Sequence, residues 1–226
     1  MALLILALII LIITFLVYAS ANIRSGIYIK SYYRSKNSGK VVALTFDDGP
    51  QFKVTPALLD VLAEEEVKAA FFCIGEKVES NKDTISRMVK DGHLIGAHSY
   101  KHHYSLTYCN SELFKADLVK SIKVLEEASG EKVTWYRPPY GVTNPIMAFV
   151  CRELKLDIAG WSVRSLDTME KDYRKALNRV LKKVSPGSVI LLHDRLPFAP
   201  ELARRIIKEL KRRGYSFERF DKLVKN

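Results

Sequence analysis

Cysteine is scarce in this chain, and the three present, Cys73, Cys109 and Cys151, are odd in number and widely spaced. That spacing excludes a disulfide framework and a cysteine-built metal site. Cys73, inside Phe71-Phe72-Cys73-Ile74, reads as a small buried hydrophobe. No repeat and no low-complexity tract occurs, which excludes a solenoid and a disordered chain. Neither a basic-aromatic signature nor a zinc-finger spacing appears, so nucleic acid is not an expected partner. Acid is the scarcer charge: 25 Asp and Glu against 36 Lys and Arg leave a net charge of +11. Such a balance favours anionic surroundings, phospholipid surfaces or acidic envelope polymers among them. With 226 residues, 48% of them apolar, the chain suffices for one domain with a sizeable core, or a domain and an anchor.

Charge is absent from Ala2 to Tyr18, an apolar run in which only Thr14 is polar. The run is near the lower length limit for one transmembrane helix, and a soluble core helix would alternate with polar residues. Ala19-Ser20-Ala21 resembles a cleavage site, but no Lys or Arg precedes the run, as a secretory signal would have. Residues 1–21 are therefore expected to form a transmembrane anchor, the favoured reading, or a signal. Residues 22–40 read as a juxtamembrane connector, with Tyr28, Tyr32 and Tyr33 suited to the interface and basic side chains suited to headgroups. By the positive-inside rule its cations would put the following domain in the cytoplasm, in tension with a role in the cell envelope.

From residue 41 to 226, strand and helix patterns alternate. Strands are expected at Val41 to Phe46, Ala69 to Ile74, His93 to Ala97, Val133 to Arg137, Ile158 to Trp161, Ser188 to Leu192 and Tyr215 to Phe220. Helices are expected between them, including Thr55 to Glu66 capped by Thr55, Ser111 to Ala128, and Asn144 to Lys155 with Asn144 before Pro145. The alternation implies parallel strands with right-handed crossovers, and the number of units suggests closure into a barrel. Reactive groups of such folds gather at the C-terminal ends of the strands.

Those ends are where the chemistry lies. The first strand runs into Asp47-Asp48-Gly49-Pro50, a carboxylate pair that is costly at a buried tip unless a cation or a proton is shared, although the same residues also suit a solvated turn. The third is followed by His98, His102 and His103, the fourth by Arg137-Pro138-Pro139-Tyr140-Gly141, the fifth by Trp161, Arg164 and Asp167, the sixth by His193-Asp194. His98 and His102 are four residues apart, so one helical turn would let both face a metal. With one Asp they make the three-ligand set of a catalytic zinc site, and the surplus carboxylate can take a proton from a water that the metal acidifies. His103 is out of phase and reads as structural or as a substrate contact. His193 can donate a proton to a leaving group, or it is a core histidine bonded to Asp194.

In these motifs the chain resembles the polysaccharide deacetylase family, the NodB-homology domain of carbohydrate esterase family 4. Thr45-Phe46-Asp47-Asp48-Gly49-Pro50, His98-Ser99-Tyr100-Lys101-His102, Arg137-Pro138-Pro139-Tyr140-Gly141 and Leu191-Leu192-His193-Asp194 match four of five family motifs in order. The resemblance implies a distorted seven-stranded β/α barrel preceded here by the N-terminal helix. It implies Asp47 as general base, Asp48, His98 and His102 as ligands of a divalent metal, usually zinc, and His193 as general acid. Arg137 would orient Asp47, the Tyr140 backbone N–H would bind the oxyanion, and Pro138, Trp161 and Leu191 would belong to the substrate pocket. The implied reaction is hydrolysis of N-acetyl groups on an N-acetylglucosamine polymer such as peptidoglycan, or, alternatively, on a lipid-linked amino sugar. The fourth motif departs from the family: Arg164 stands where an Asp tethers the acid histidine, and Thr168 where a Trp is usual. A cation there should lower the His193 pKa unless Asp167 or Asp194 compensates, and it motivates a third reading, a carbohydrate-binding protein that has lost catalysis.

Overall fold

The computed structural model describes residues 1–36 and 38–225. Nine strands occur among them: β1 Ser31–Tyr32, β2 Val41–Asp47, β3 Ala70–Cys73, β4 Leu94–Ala97, β5 Trp135–Tyr136, β6 Asp157–Ala159, β7 Val163–Arg164, β8 Val189–His193 and β9 Ser216–Phe217. The helices are α1 Ala2–Ala21, α2 Val54–Glu64, α3 Gly75–Glu79, α4 Lys82–Lys90, α5 Ser111–Ser129, α6 Pro145–Glu153, α7 Tyr173–Lys183, α8 Ala199–Arg212 and α9 Phe220–Lys225.

The strands form one curled parallel sheet in the order β1-β6-β5-β4-β3-β2-β8-β7, with β9 paired to the start of β2. Val41 to Leu44 read as a continuous apolar run because β2 lies inside the sheet with both faces covered, and Val42, Ala43 and Leu44 are fully buried. Amphipathic helices cover the outside, and two of the longer ones begin where a side chain satisfies a free amide of the first turn. Asn110 accepts from Leu113 N at α5, and Asn144 accepts from Met147 N at 2.7 Å before Pro145 at α6. Thr55 is not the cap of α2: the helix starts one residue earlier, and the Thr55 hydroxyl accepts from Gln51 N and donates to Asp194 Oδ2, both at 2.7 Å.

Helix α1 has 20 residues, and an 18-residue stretch of it has a mean hydropathy of 3.1, long and apolar enough for a membrane span or a signal sequence. Among its residues only Ala19 is buried. There the helix meets the domain: Thr143 donates its N–H to Ser20 O at 2.9 Å and its hydroxyl to Ala19 O at 3.1 Å. The following segment is packed. Ile23 lies in the hydrophobic core and its carbonyl accepts from Ser31 Oγ at 2.6 Å. Strand β1 then pairs with β6, and Arg34 bridges to Ser188 beside β8, so residues 31–34 span the gap at the sheet's open side.

Candidate active site

Parallel strands carry all of their C-terminal tips to one end, and that end holds a cleft of about 120 Å³ whose wall includes Asp47, Asp48, His98, His102, Trp161 and His193. Asp47 is the last residue of β2 and pairs in register with His193, the last of β8. His98 follows β4, where its amide donates to Cys73 O. Three groups of side chains result.

The first is Asp48, His98 and His102. One ligand atom from each lies within 4.8 Å of the others, with His98 Nε2 at 3.5 Å and His102 Nε2 at 3.4 Å from Asp48 Oδ1. The Nδ1 of His98 is 2.7 Å from the Arg137 carbonyl, an acceptor, so Nδ1 carries the proton and Nε2 presents its lone pair to the shared point beside Asp48. Burial, with the His98 ring beside it, pushes the His102 pKa down to about 4, leaving that imidazole neutral. Burial alone would raise the Asp48 carboxyl; the His98, His193 and His102 imidazoles around it outweigh that and hold the carboxyl well below the usual range. One carboxylate and two imidazoles converging on one point is the donor set a divalent cation takes. These residues fit a metal.

The two histidines do not meet through a helical turn, as their spacing suggested. They lie in an irregular loop with Ser99 at φ 63° and His102 at φ 53°, closed by the His102 amide donating to Ser99 Oγ at 2.8 Å. Asp48 and Tyr140 also take positive φ, at 74° and 60°. Residues other than glycine cost about 1–3 kcal/mol each in this conformation, and Asp48, His102 and Tyr140 carry that strain on the cleft wall.

The second group is Asp47 with Arg137, whose side chain is fully buried. Arg137 Nη1 donates to Asp47 Oδ1 at 2.7 Å and to Thr45 Oγ1 at 2.9 Å, Nη2 to Gly160 O at 2.9 Å, and the guanidinium lies 4.1 Å from the Phe72 ring centroid. Asp47 Oδ2 is left on the His98 side, 3.9 Å from Nε2.

The third is His193 with Asp167. The buried Asp167 carboxylate accepts from the His193 amide at 2.9 Å and from Nδ1 at 2.8 Å, which leaves Nε2 for the cleft. Burial opposes the charged imidazole, but the Asp167 hydrogen bond and charge outweigh it, so the His193 pKa is raised. Of the two acids expected to compensate for Arg164, Asp167, three residues further on, is the one that holds His193. It reaches His193 because Leu166, at φ 56°, turns the chain into a short 3₁₀ segment at Asp167–Met169. Arg164 is exposed and stands on the cleft wall.

Of the other expected site residues, Leu191 and Tyr140 line the cleft. Pro138 does not; it lines a separate hollow with Leu106, Val142 and Met147. His103 is exposed and accepts from Ser105 N at the start of a 3₁₀ turn. The ring of His193 is bonded to Asp167 and not to Asp194. Two partners of Asp48 had no signal in the sequence: Arg195 Nε is 2.8 Å from Oδ2, and Lys77 Nζ donates to the Asp48 carbonyl at 2.7 Å.

The family model described as polysaccharide deacetylase matches residues 34–159. The chain belongs to the polysaccharide deacetylase family. Among relatives of this deacetylase-family chain is the peptidoglycan-N-acetylglucosamine deacetylase PgdA of Listeria monocytogenes, 35% identical over 189 residues, which are 82% of this chain and 39% of the relative. The chain thus spans about two fifths of the curated Listeria relatives it matches. The solved structure of peptidoglycan deacetylase PdaC from Bacillus subtilis superposes with a TM-score of 0.78 at 33% identity, over 84% of this chain and 91% of that one. BA3943 of Bacillus anthracis, described as a CE4 family pseudoenzyme, superposes with a TM-score of 0.78 at 27% identity, over 85% and 68%.

Asp194 lies behind this deacetylase-family cleft, fully buried, with Oδ2 on Thr55 and Oδ1 without a partner among the described residues. A Cβ on Gly49 would come within 2.0 Å of that carboxylate, so only glycine fits at position 49. Burial pushes the Asp194 pKa up to about 7. The unfolded chain loses this proton near pH 4 and the folded chain near 7, so the group's stabilising contribution is complete below about 4 and is lost as pH rises to about 7. Asp194→Asn keeps an acceptor for Thr55 and removes the titration. Its Tm in chelator is expected to exceed wild type at pH 8 and to show no gain at pH 4, as thermal melts at the two pH values will check.

Proposed function

We propose that this protein is a membrane-anchored, zinc-dependent deacetylase of N-acetylated amino-sugar polymers, with peptidoglycan first among them. The observation that carries the reading is the convergence on one cleft of the Asp48-His98-His102 donor set, the Asp47-Arg137 pair and the Asp167-His193 pair. Asp48, His98 and His102 would hold the metal, which would supply Lewis-acid polarisation of the amide carbonyl and acidification of a water. Arg137 fixes Asp47 so that Oδ2 takes the proton of the attacking water. As the oxygen adds to the carbonyl carbon, the Tyr140 N–H stabilises the developing oxyanion. When the C–N bond breaks, His193 Nε2 gives its proton to the nitrogen, and acetate and a free amine leave. The Asp167 carboxylate favours the protonated form of His193 that this last step needs. Trp161 and Leu191 enclose the acetyl methyl.

A second reading, a lipid-linked amino sugar as substrate, is favoured by one observation: Thr143, three residues from Tyr140, is hydrogen-bonded to the last turn of α1. The cleft rim then sits at the membrane surface if α1 is the anchor. The test is acetate release by the full chain in detergent from peptidoglycan, chitin oligosaccharide and a lipid-linked N-acetylglucosamine, with and without chelator. Chelator-sensitive release is expected, and the best substrate chooses between the two readings. A folded, zinc-loaded protein that releases nothing from any of the three returns the chain to the binding-protein reading.

A further inference from the structure

A second cavity, of about 490 Å³, lies away from the cleft and shares no residue with it. Among the described residues five cations line it, Arg24, Lys30, Arg34, Lys36 and Lys225, and no Asp or Glu does. Lys225 has a carboxylate partner, Asp157 at 2.8 Å. Arg34 donates to the neutral Ser185 hydroxyl at 2.7 Å, and Lys30 sits 5.1 Å from the Tyr32 ring centroid. Four cations without a carboxylate partner among the described residues therefore border one hollow. Like charges gathered in this way repel one another, and an anion between them turns the repulsion into attraction.

The chemistry of the wall narrows that anion. Guanidinium forks match phosphate oxygens two at a time, and ammonium groups add point charge. The volume is in the range of small-ligand sites, and Tyr32, Tyr33 and Val224 add an apolar side. The location supplies the rest. Arg24 lies three residues beyond Ala21, where α1 ends, so even a fully extended chain keeps it within about 11 Å of the helix end. The segment is not a slack tether: Ser31 holds the Ile23 carbonyl, and β1 is paired to β6.

We infer that this cavity binds the phosphate-bearing headgroup of an anionic phospholipid, seating the catalytic domain on the bilayer in one orientation. The inference rests on α1 lying in the membrane; it does not depend on catalysis in the cleft, so the test below fails or succeeds independently of acetate release.

The full chain is reconstituted in vesicles of equimolar phosphatidylglycerol and phosphatidylcholine, extracted in neutral detergent, and its retained lipid counted by native mass spectrometry. Wild type is expected to keep one phosphatidylglycerol per chain, enriched about tenfold over phosphatidylcholine, and the triple variant Arg24→Gln, Lys30→Gln, Lys36→Gln to lose the enrichment. A circular dichroism melt reports that the variant is folded. If the triple variant does not fold, Lys30→Gln and Lys36→Gln are read singly, each with the enrichment reduced several-fold. Equal retention of the two lipids by wild type, or unchanged retention by every folded variant, overturns the proposal. So does complete displacement of the lipid by millimolar inorganic phosphate, which would assign the cavity to a free phosphate.

Discussion

Asp48→Asn is expected to strip the protein of its metal and to lower acetate release by at least about 10³-fold, since metal polarisation contributes several kcal/mol and each 1.4 kcal/mol is tenfold. Asparagine is the informative replacement because position 48 has φ 74°, a conformation that Asn tolerates and Ala does not. The loop should therefore survive while the charge disappears. Without that carboxylate, His98 and His102 are left as two neutral donors, and Arg195, whose Nε is 2.8 Å from Asp48 Oδ2, becomes an uncompensated cation beside the site. Both effects act against a divalent ion. The measurements are metal content by mass spectrometry, acetate release, and a circular dichroism melt to show the fold intact. If the Asp48→Asn variant keeps one metal per chain, Asp48 leaves the ligand set and the mechanism goes with it.

How much of this was legible in the sequence depended on how local each cause is. β2 was readable because a β-branched, apolar run between a basic stretch and Asp-Asp-Gly-Pro has one sensible conformation. β1 and β7 were not, because each is a two-residue pairing created by sheet closure, and neither Ser31-Tyr32 nor Val163-Arg164 has a pattern that distinguishes it from loop. Residues 22–40 were read by composition as a juxtamembrane connector, and their packing had no signal there, because the partners that fix them and the end of α1, Thr143 and the β6 strand, lie more than a hundred residues away in sequence.

The site shows the same division. That Asp47, Asp48, His98, Arg137 and His193 share one end of the molecule followed from their positions after parallel strands. How they meet did not. The His98-His102 pair converges by two positive-φ residues rather than by helical periodicity, and Asp167 takes the tether role by a turn at Leu166 that no propensity requires. Asp167 nevertheless had a signal, being the one acid between Arg164 and Glu170. Pro138, part of the matched Arg137-Pro138-Pro139-Tyr140-Gly141 motif, was assigned to the pocket with the resemblance, whereas its contacts face the α6 side.

Asp47→Asn separates catalysis from stability. Loss of the proton acceptor is expected to reduce kcat by about 10²–10⁴ with metal content unchanged, because the three ligand residues are untouched. It is also expected to destabilise the fold, by up to about 3–5 kcal/mol, since Arg137 is fully buried and its carboxylate partner is Asp47. Its remaining acceptors, Thr45 Oγ1 and the carbonyls of Ala159 and Gly160, are neutral. The double variant Asp47→Asn, Arg137→Met removes the stranded cation and fills its space with a flexible apolar side chain. Part of the stability should return, because an apolar replacement of a buried pair is often neutral or better, and none of the activity should. Denaturant melts and acetate release on the two variants give both answers. If the single variant turns over at the wild-type rate, Asp47 is not the base, and its pairing with Arg137 is a device of the core alone.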